Sequence, residues 1–306
     1  MMESISYKDF LNNIKSKCSN PEYAAYVADF VQQGVNTGII TQKNLHYVLS
    51  KLQRINLFTS LPPQYRGMYG LTDESQNKDG LNVFINPDLD SHRRKQYAFH
   101  ELAHVIMDGE QNFVTNNVYN EMAGNISNKD LNYISNGYLV IEEAIAQEIS
   151  EMFVYSSENR PRPVMTPSMD NAIPNISFYT NHDFYGLYQP LAVAFAKTLR
   201  GIGNKKEVSN SQSIYLELLA KRAFNGNFSK DIIDEYMMDN HYVDLIRSFR
   251  DMGTVFMVKQ ATFGVQNGVS LSRENLNASS QAYARAIQNF NMLRDTRPKR
   301  VEQEYD

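Results

Sequence analysis

Two histidines and a glutamate near residue 100 have the types and the spacing of a metal site. The segment Phe99-His100-Glu101-Leu102-Ala103-His104 follows the pattern H-E-x-x-H, in a chain with only six histidines. On a helix, His100 and His104 are one turn apart and project from the same face. Two imidazoles at that spacing can hold one zinc ion, and Glu101 can reach water beside it. The plainer alternative is an ordinary amphipathic helix with two hydrogen-bonded histidines.

The residues around this pattern predict the helix that it needs. Asp88, Asp90 or Ser91 can cap the start, and Asp108-Gly109 supplies an end. Between them, apolar residues recur at the spacing of a core-facing stripe: Phe99, Leu102, Ala103 and Ile106. The two histidines lie at the edge of that stripe. One side of the helix can therefore pack in a core while the adjacent side, with the histidines, lines a cleft.

A short sheet is predicted directly before this helix. Residues 81–86 have a strand pattern that ends at Asn86-Pro87. Residues 65–71 are short, aromatic and bounded by turns, and 77–80 are typical of a turn. We therefore expect a small β-hairpin or meander. Its exposed edge can pair with an extended peptide, or the sheet can simply cover the helix, and the sequence leaves both interpretations open.

A catalytic zinc site needs a third protein ligand, because such sites use three ligands and one open position. Residues 140–153 are predicted to be helical and contain the carboxylates of Glu142, Glu143 and Glu148. Steps of 100° per residue place Glu142 nearer the apolar side and Glu143 nearly opposite. This helix is the best place for the third ligand, and the periodicity alone leaves the choice among the three open.

Glu143-Ala144-Ile145, taken with the H-E-x-x-H pattern, resembles the gluzincin metallopeptidases. Their third-ligand segment has the sequence Asn-Glu-Ala-Ile in thermolysin-like members and Asn-Glu-Gly-Phe in the aminopeptidase branch. The resemblance implies three zinc (Zn2+) ligands, His100, His104 and Glu143, with Glu101 as general base. It also implies hydrolysis of peptide bonds in a protein or peptide substrate.

The chain departs from those families in three places. Glu142 stands where they have Asn, Gln147 stands where thermolysin-like members have Asp, and the interval from His104 to Glu143 is longer. The resemblance covers two helices and the strand before them. It is closer to a divergent bacterial intracellular group of small metallopeptidases.

The same resemblance implies a group that stabilises the oxyanion formed when water adds to the peptide carbonyl. Gluzincins commonly use a Tyr or His from a downstream segment for this. The candidates are Tyr188, Tyr185 and His182. Tyr188 is favoured because it begins a predicted helix that would hold it rigidly. Packing in the core is the alternative for each of the three.

The predicted fold class is α+β, mainly helical, with a zincin-like catalytic lobe whose small sheet lies beside the H-E-x-x-H helix. Proline-rich residues after 158 mark a boundary. Residues 1–157 would hold N-terminal helices, the sheet and the zinc-binding helices, and 158–306 a helical C-terminal lobe with a frayed tail from Arg294. Residues 109–138 are rich in Asn and Gly, which predicts a long irregular connection. The predicted later helices are 189–201, 211–225, 229–238, 241–259 and 278–293.

Composition narrows the class of protein. A net charge of −4 and a pI near 5.9 argue against direct nucleic-acid binding. A single cysteine excludes an intrachain disulfide and fits a reducing compartment. The sequence shows no signal peptide and no apolar run long enough for a membrane, so we expect a cytoplasmic enzyme, with signal-less export left open. Two alternative functions are an inactive zincin-fold regulatory protein and a metal hydrolase on a non-peptide bond, and oligomeric state is not indicated.

Overall fold

The computed structural model describes residues 6–65, 68–74, 80–161, 185–200, 202, 212–262 and 271–297. The strands are β1 (Ile55–Ser60), β2 (Gly70–Glu74) and β3 (Leu81–Ile85). The helices are α1 (Tyr7–Lys17), α2 (Pro21–Asn36), α3 (Leu45–Leu52), α4 (Ser91–Met107), α5 (Glu110–Glu121), α6 (Asn128–Ser157), α7 (Tyr185–Ala196), α8 (Gln212–Ala223), α9 (Phe228–Met238), α10 (Tyr242–Ala261) and α11 (Arg273–Thr296). Across these residues the protein is mainly helical with one small sheet, as predicted. Within this described part, every helix is too short or too polar to span a lipid bilayer.

The sheet has the strand order β1-β3-β2. β2 and β3 pair antiparallel, with Gly70 opposite Ile85 and Thr72 opposite Val83, so a hairpin is present as predicted. The predicted bounds of its first strand, 65–71, are wrong, because β2 shares only Gly70 and Leu71 with that segment. The predicted turn between them lies largely outside the described residues. β1 pairs parallel with β3 and was not predicted. β3 is therefore central, and β2 forms one edge of the sheet.

Helix α4 begins and ends where the sequence predicts. The Asp90 carboxylate caps it by accepting the backbone N–H of Arg93 at 2.9 Å. At its other end, Lys51 Nζ donates to the Asp108 carbonyl at 2.6 Å, and Arg54 pairs with the Asp108 carboxylate. These contacts hold both ends of the helix that carries the H-E-x-x-H pattern.

The predicted irregular connection over residues 109–138 is wrong, because most of it is helical. Only the short connections around Gly109 and Gly124 have the positive φ that favours glycine, at 88° and 73°. Helix α5 buries Val114 and Val118, one turn apart, so tertiary packing outweighs the weak helix propensity of its asparagines. Gly137 lies inside α6, where a Cβ would stand 1.8 Å from the Phe249 carbonyl oxygen. That glycine allows close helix packing and does not mark a loop.

The chain forms two compact units. Unit 1 comprises Met1–Asp108, Ile145–Val164 and Ala220–Gly226, and unit 2 comprises Gly109–Ala144, Met165–Leu219 and Asn227–Asp306. The predicted division at 157/158 stays a prediction. The core of unit 1 contains a cluster of buried aromatic rings with centroids 5.1 to 6.3 Å apart: Phe30, Phe99, Phe153 and Phe224. Such a cluster fixes α4 against its neighbours in the unit.

Unit 2 contains a buried ionic cluster at the end of α11. The Arg297 guanidinium donates to Asp239 Oδ2 at 2.8 Å, to Glu235 Oε1 at 3.0 Å and to the Thr198 carbonyl at 2.6 Å. It also lies 3.9 Å from the ring centroid of Tyr236. The tail predicted to fray from Arg294 is therefore ordered as far as Arg297, because the guanidinium is buried against two carboxylates. Residues 298–306 lie outside the described residues.

Candidate metal centre

Helix α4 brings His100 and His104 together with their Nε2 atoms 3.1 Å apart. The rings are edge-on, with centroids 4.9 Å apart and an interplanar angle of 68°. Two nitrogens bound to one tetrahedral zinc ion would be about 3.3 Å apart. The spacing of the two Nε2 atoms thus agrees with joint coordination of a single small cation.

Glu143, on α6, completes this group. One ligand atom each from His100, His104 and Glu143 lies within 4.8 Å of the other two. Two imidazole nitrogens and a carboxylate oxygen are a donor set that catalytic zinc sites use, so the residues present fit the metal. The other candidates, Glu142 and Glu148, are buried residues of α6 that are not part of this group.

The carboxylate of Glu101 faces strand β2 and is almost fully buried, with 7% of the residue exposed. Thr72 Oγ1 donates to Glu101 Oε2 at 2.8 Å and lies 3.3 Å from the Glu101 carbonyl oxygen. Gly70 approaches from the same strand, and a Cβ built on it would stand 2.6 Å from Glu101 Oε1. Both carboxylate oxygens therefore have a defined neighbour on β2.

Two tyrosines form an aromatic pair near His100. The rings of Tyr69 and Tyr97 are stacked with centroids 4.6 Å apart, and the Tyr97 centroid is 6.4 Å from that of His100. Tyr69 is 40% exposed. The aromatic character of residues 65–71 therefore belongs to a surface next to the histidines.

The structure describes the three downstream candidates for oxyanion stabilisation to different extents. Tyr188 is fully buried on α7, and its ring stacks on Phe256 with centroids 5.8 Å apart. Tyr185 is the first residue of α7, and only its backbone is described, while His182 lies outside the described residues. The assignment of an oxyanion-stabilising role to any of them stays a prediction.

Gly70 and Thr72 are neighbours of Glu101 that were not predicted. Neither belongs to a motif, and the contact joins a strand to a helix far along the chain. One signal was present: residues two apart on a strand face the same way. A hairpin placed beside α4 could therefore have pointed to such a pair.

Part of the chain matches a known protein family. Residues 56–164 match the Peptidase_M78 family, described as an IrrE N-terminal-like domain. This stretch is just over a third of the chain and includes β2, β3, α4, α5 and α6. The match supports a zinc metallopeptidase-like family, and the gluzincin subtype stays a prediction. Comparisons with curated proteins and with solved structures give no match.

Proposed function

We propose that the protein is a zinc-dependent metallopeptidase of the gluzincin type. The observation that carries this proposal is the convergence of His100, His104 and Glu143 within 4.8 Å. The family match over residues 56–164 supports it independently of that geometry. Zinc held by these three residues would act as a Lewis acid, which lowers the pKa of water and polarises a carbonyl group.

In this proposal Glu101 is the general base. Its carboxylate accepts a proton from the attacking water and then gives that proton to the leaving amine. Burial of Glu101 keeps bulk water from competing for the proton. Tyr188 remains the proposed donor to the oxyanion. β2 is an edge strand of the described sheet, and its backbone groups could pair with an extended peptide.

Metal content tests the ligand set. We expect about one zinc per purified wild-type chain, loss of zinc in Glu143→Ala, and retention of zinc in Glu142→Ala, which is the matched neighbouring control. Mass spectrometry of metals after dialysis measures all three proteins. A wild type that holds no zinc even after reconstitution would reduce the H-E-x-x-H pattern to a helix with two histidines.

A second substitution tests the role of Glu101. Glu101→Gln should keep its zinc and lose turnover by at least about 100-fold, because only proton transfer is removed. An internally quenched peptide library measures the rate. Unchanged turnover in the zinc-loaded variant would exclude Glu101 as the base.

The two alternative functions predict different results when the protein is tested against peptides, small esters and small amides. A regulatory protein without activity would hydrolyse nothing, although an intact Glu101 argues against that reading because a scaffold needs no base. A metal hydrolase on another bond would hydrolyse small esters or amides and spare the peptide library. The single cysteine supports a reducing compartment, so the proposed location is the cytoplasm.

A further inference from the structure

We infer that strand β2 orients the general base, with Thr72 and Gly70 acting as positioning residues for the Glu101 carboxylate. The inference rests on the proposed function, since it concerns the group that moves the proton. It assigns to this edge strand a role in addition to pairing with a peptide or covering the helix.

Thr72 restrains one of the two carboxylate oxygens. Its hydroxyl is 2.8 Å from Glu101 Oε2 and 3.3 Å from the Glu101 carbonyl oxygen. An ionised carboxylate only accepts hydrogen bonds, so the hydroxyl must be the donor, and bonds to a charged acceptor are roughly twice as strong as neutral ones. This hydrogen bond through Oε2 therefore restrains the orientation of the carboxylate.

Gly70 makes room for the other carboxylate oxygen. A Cβ at residue 70 would stand 2.6 Å from Glu101 Oε1, 2.8 Å from Cγ and 3.0 Å from Cδ. Real Cβ atoms do not approach other atoms so closely, so any larger residue would displace the carboxylate or the strand. Gly70 is not among the glycines with positive φ. Close approach to Glu101, and not backbone conformation, is therefore what requires glycine here.

The sheet holds both positioning residues at a fixed spacing. Gly70 and Thr72 are two apart on β2 and so share a face, and they pair with Ile85 and Val83 of β3. Both of those partners are fully buried. A group supported by a paired strand varies little in position, and misplacement of a catalytic group by about 1 Å can cost roughly 100-fold in rate.

The test compares three threonine variants of the full-length, zinc-loaded protein. Thr72→Val keeps the shape and removes the hydroxyl, Thr72→Ser keeps the hydroxyl, and Thr59→Val makes the same change on β1, away from Glu101. On the quenched peptide library we expect Thr72→Val to lower kcat about 10- to 100-fold with KM within about twofold. Thr72→Ser should recover most of the rate, Thr59→Val should match wild type, and all three should hold one zinc.

Gly70→Ala tests the other oxygen in the same assay. We expect a fall in kcat at least as large as that of Thr72→Val with zinc retained, because the added methyl group displaces Oε1. Wild-type kcat in both Thr72→Val and Gly70→Ala would overturn the inference while leaving the proposed function standing. Equal loss in Thr72→Ser and Thr72→Val would also overturn it, because the hydroxyl would then not be the active feature.

A readout without turnover checks the contact itself. In zinc-free protein, Thr72→Val should lower Tm in the wild-type background and have little further effect in Glu101→Ala, because the hydroxyl's partner is gone. Equal Tm shifts in both backgrounds would show that the two residues are uncoupled and would overturn the inference. Coupling in a wild type that hydrolyses no substrate would instead overturn the proposed function, and with it any positioning of a base.

Discussion

Two polar clusters in this chain, one buried and one partly exposed, bring their side chains together in opposite ways. At the end of α11 the Arg297 cation faces the Asp239 and Glu235 carboxylates at 2.8 and 3.0 Å. On α4, two groups of the same kind face each other, with the Nε2 atoms of His100 and His104 3.1 Å apart. Arg200 also pairs with Asp239, so the first cluster balances two cations against two carboxylates. The second brings two imidazole nitrogens and, with Glu143, a carboxylate oxygen close together, an arrangement that can bind a cation.

The two clusters differ in the partner that stabilises their polar groups. A buried ion pair is held because removing either partner leaves an uncompensated charge. A converging set of two imidazoles and a carboxylate is instead one that a metal ion can bind. The ionic cluster should therefore govern stability in the absence of ligands, whereas the histidine cluster should respond to added metal.

We expect the largest effect from a substitution that breaks the ionic cluster. Arg297→Met should lower the free energy of unfolding by about 3–5 kcal/mol, because Glu235 would lose its buried counter-charge and Asp239 would keep only Arg200. Urea unfolding followed by circular dichroism measures the loss. Arg294→Met is the control: this neighbouring arginine pairs with Asp295 at the surface, so its removal should cost about 0–1 kcal/mol. Equal costs for the two variants would show that the buried cluster is not a source of stability.

The next largest effect is expected when zinc is added to the histidine cluster. Zinc at about 1,000 times its dissociation constant should stabilise the wild type by about 4 kcal/mol, measured as a rise in Tm. His104→Ala should show little or no rise, because one of the three donors is missing. A metal-independent Tm in the wild type would contradict the contrast between the two clusters.

A smaller effect comes from pH at the ionic cluster. Burial raises the pKa of Tyr236 to about 12, while Arg297 beside it acts in the opposite direction. Since the folded-state pKa exceeds the unfolded value near 10, this contribution to stability is complete below about pH 10 and is lost as pH rises through 12. Tyr236→Phe should therefore reduce the alkaline loss by about 2 kcal/mol, as measured by unfolding at pH 9 and pH 11.5. An alkaline loss of the same size in both proteins would place the titrating group elsewhere.

Much of the helical framework could be predicted from sequence because its signals are local. The Asp90 cap and the apolar stripe of α4 follow a regular period. Strand β1 was missed because a register shift between Ile55 and Leu57 disrupts its alternation. Ile55 and Phe58 are both fully buried although they are three residues apart, a spacing more typical of a helix.

The candidate site divides in the same way. His100, Glu101 and His104 are one motif on one helix, so spacing alone identified them. The choice of Glu143 over Glu142 needed a resemblance, since helical periodicity did not separate them. Thr72 and Arg297 were beyond prediction because their partners, Glu101 and the pair Glu235 and Asp239, lie far away in sequence.

The composition of unit 1 also has a consequence for the order of events during synthesis on the ribosome. Phe224 packs near Phe30 with ring centroids 6.3 Å apart, and Asn225 Oδ1 accepts from Asn44 Nδ2 at 3.1 Å. Ala220–Gly226 is synthesised later than the family-matched residues 56–164. At roughly 5–20 residues per second, the delay is several seconds. Until then, the aromatic cluster that packs against the H-E-x-x-H helix lacks Phe224. A nascent chain stalled before residue 220 should therefore be a client for chaperones that bind exposed aromatic surface.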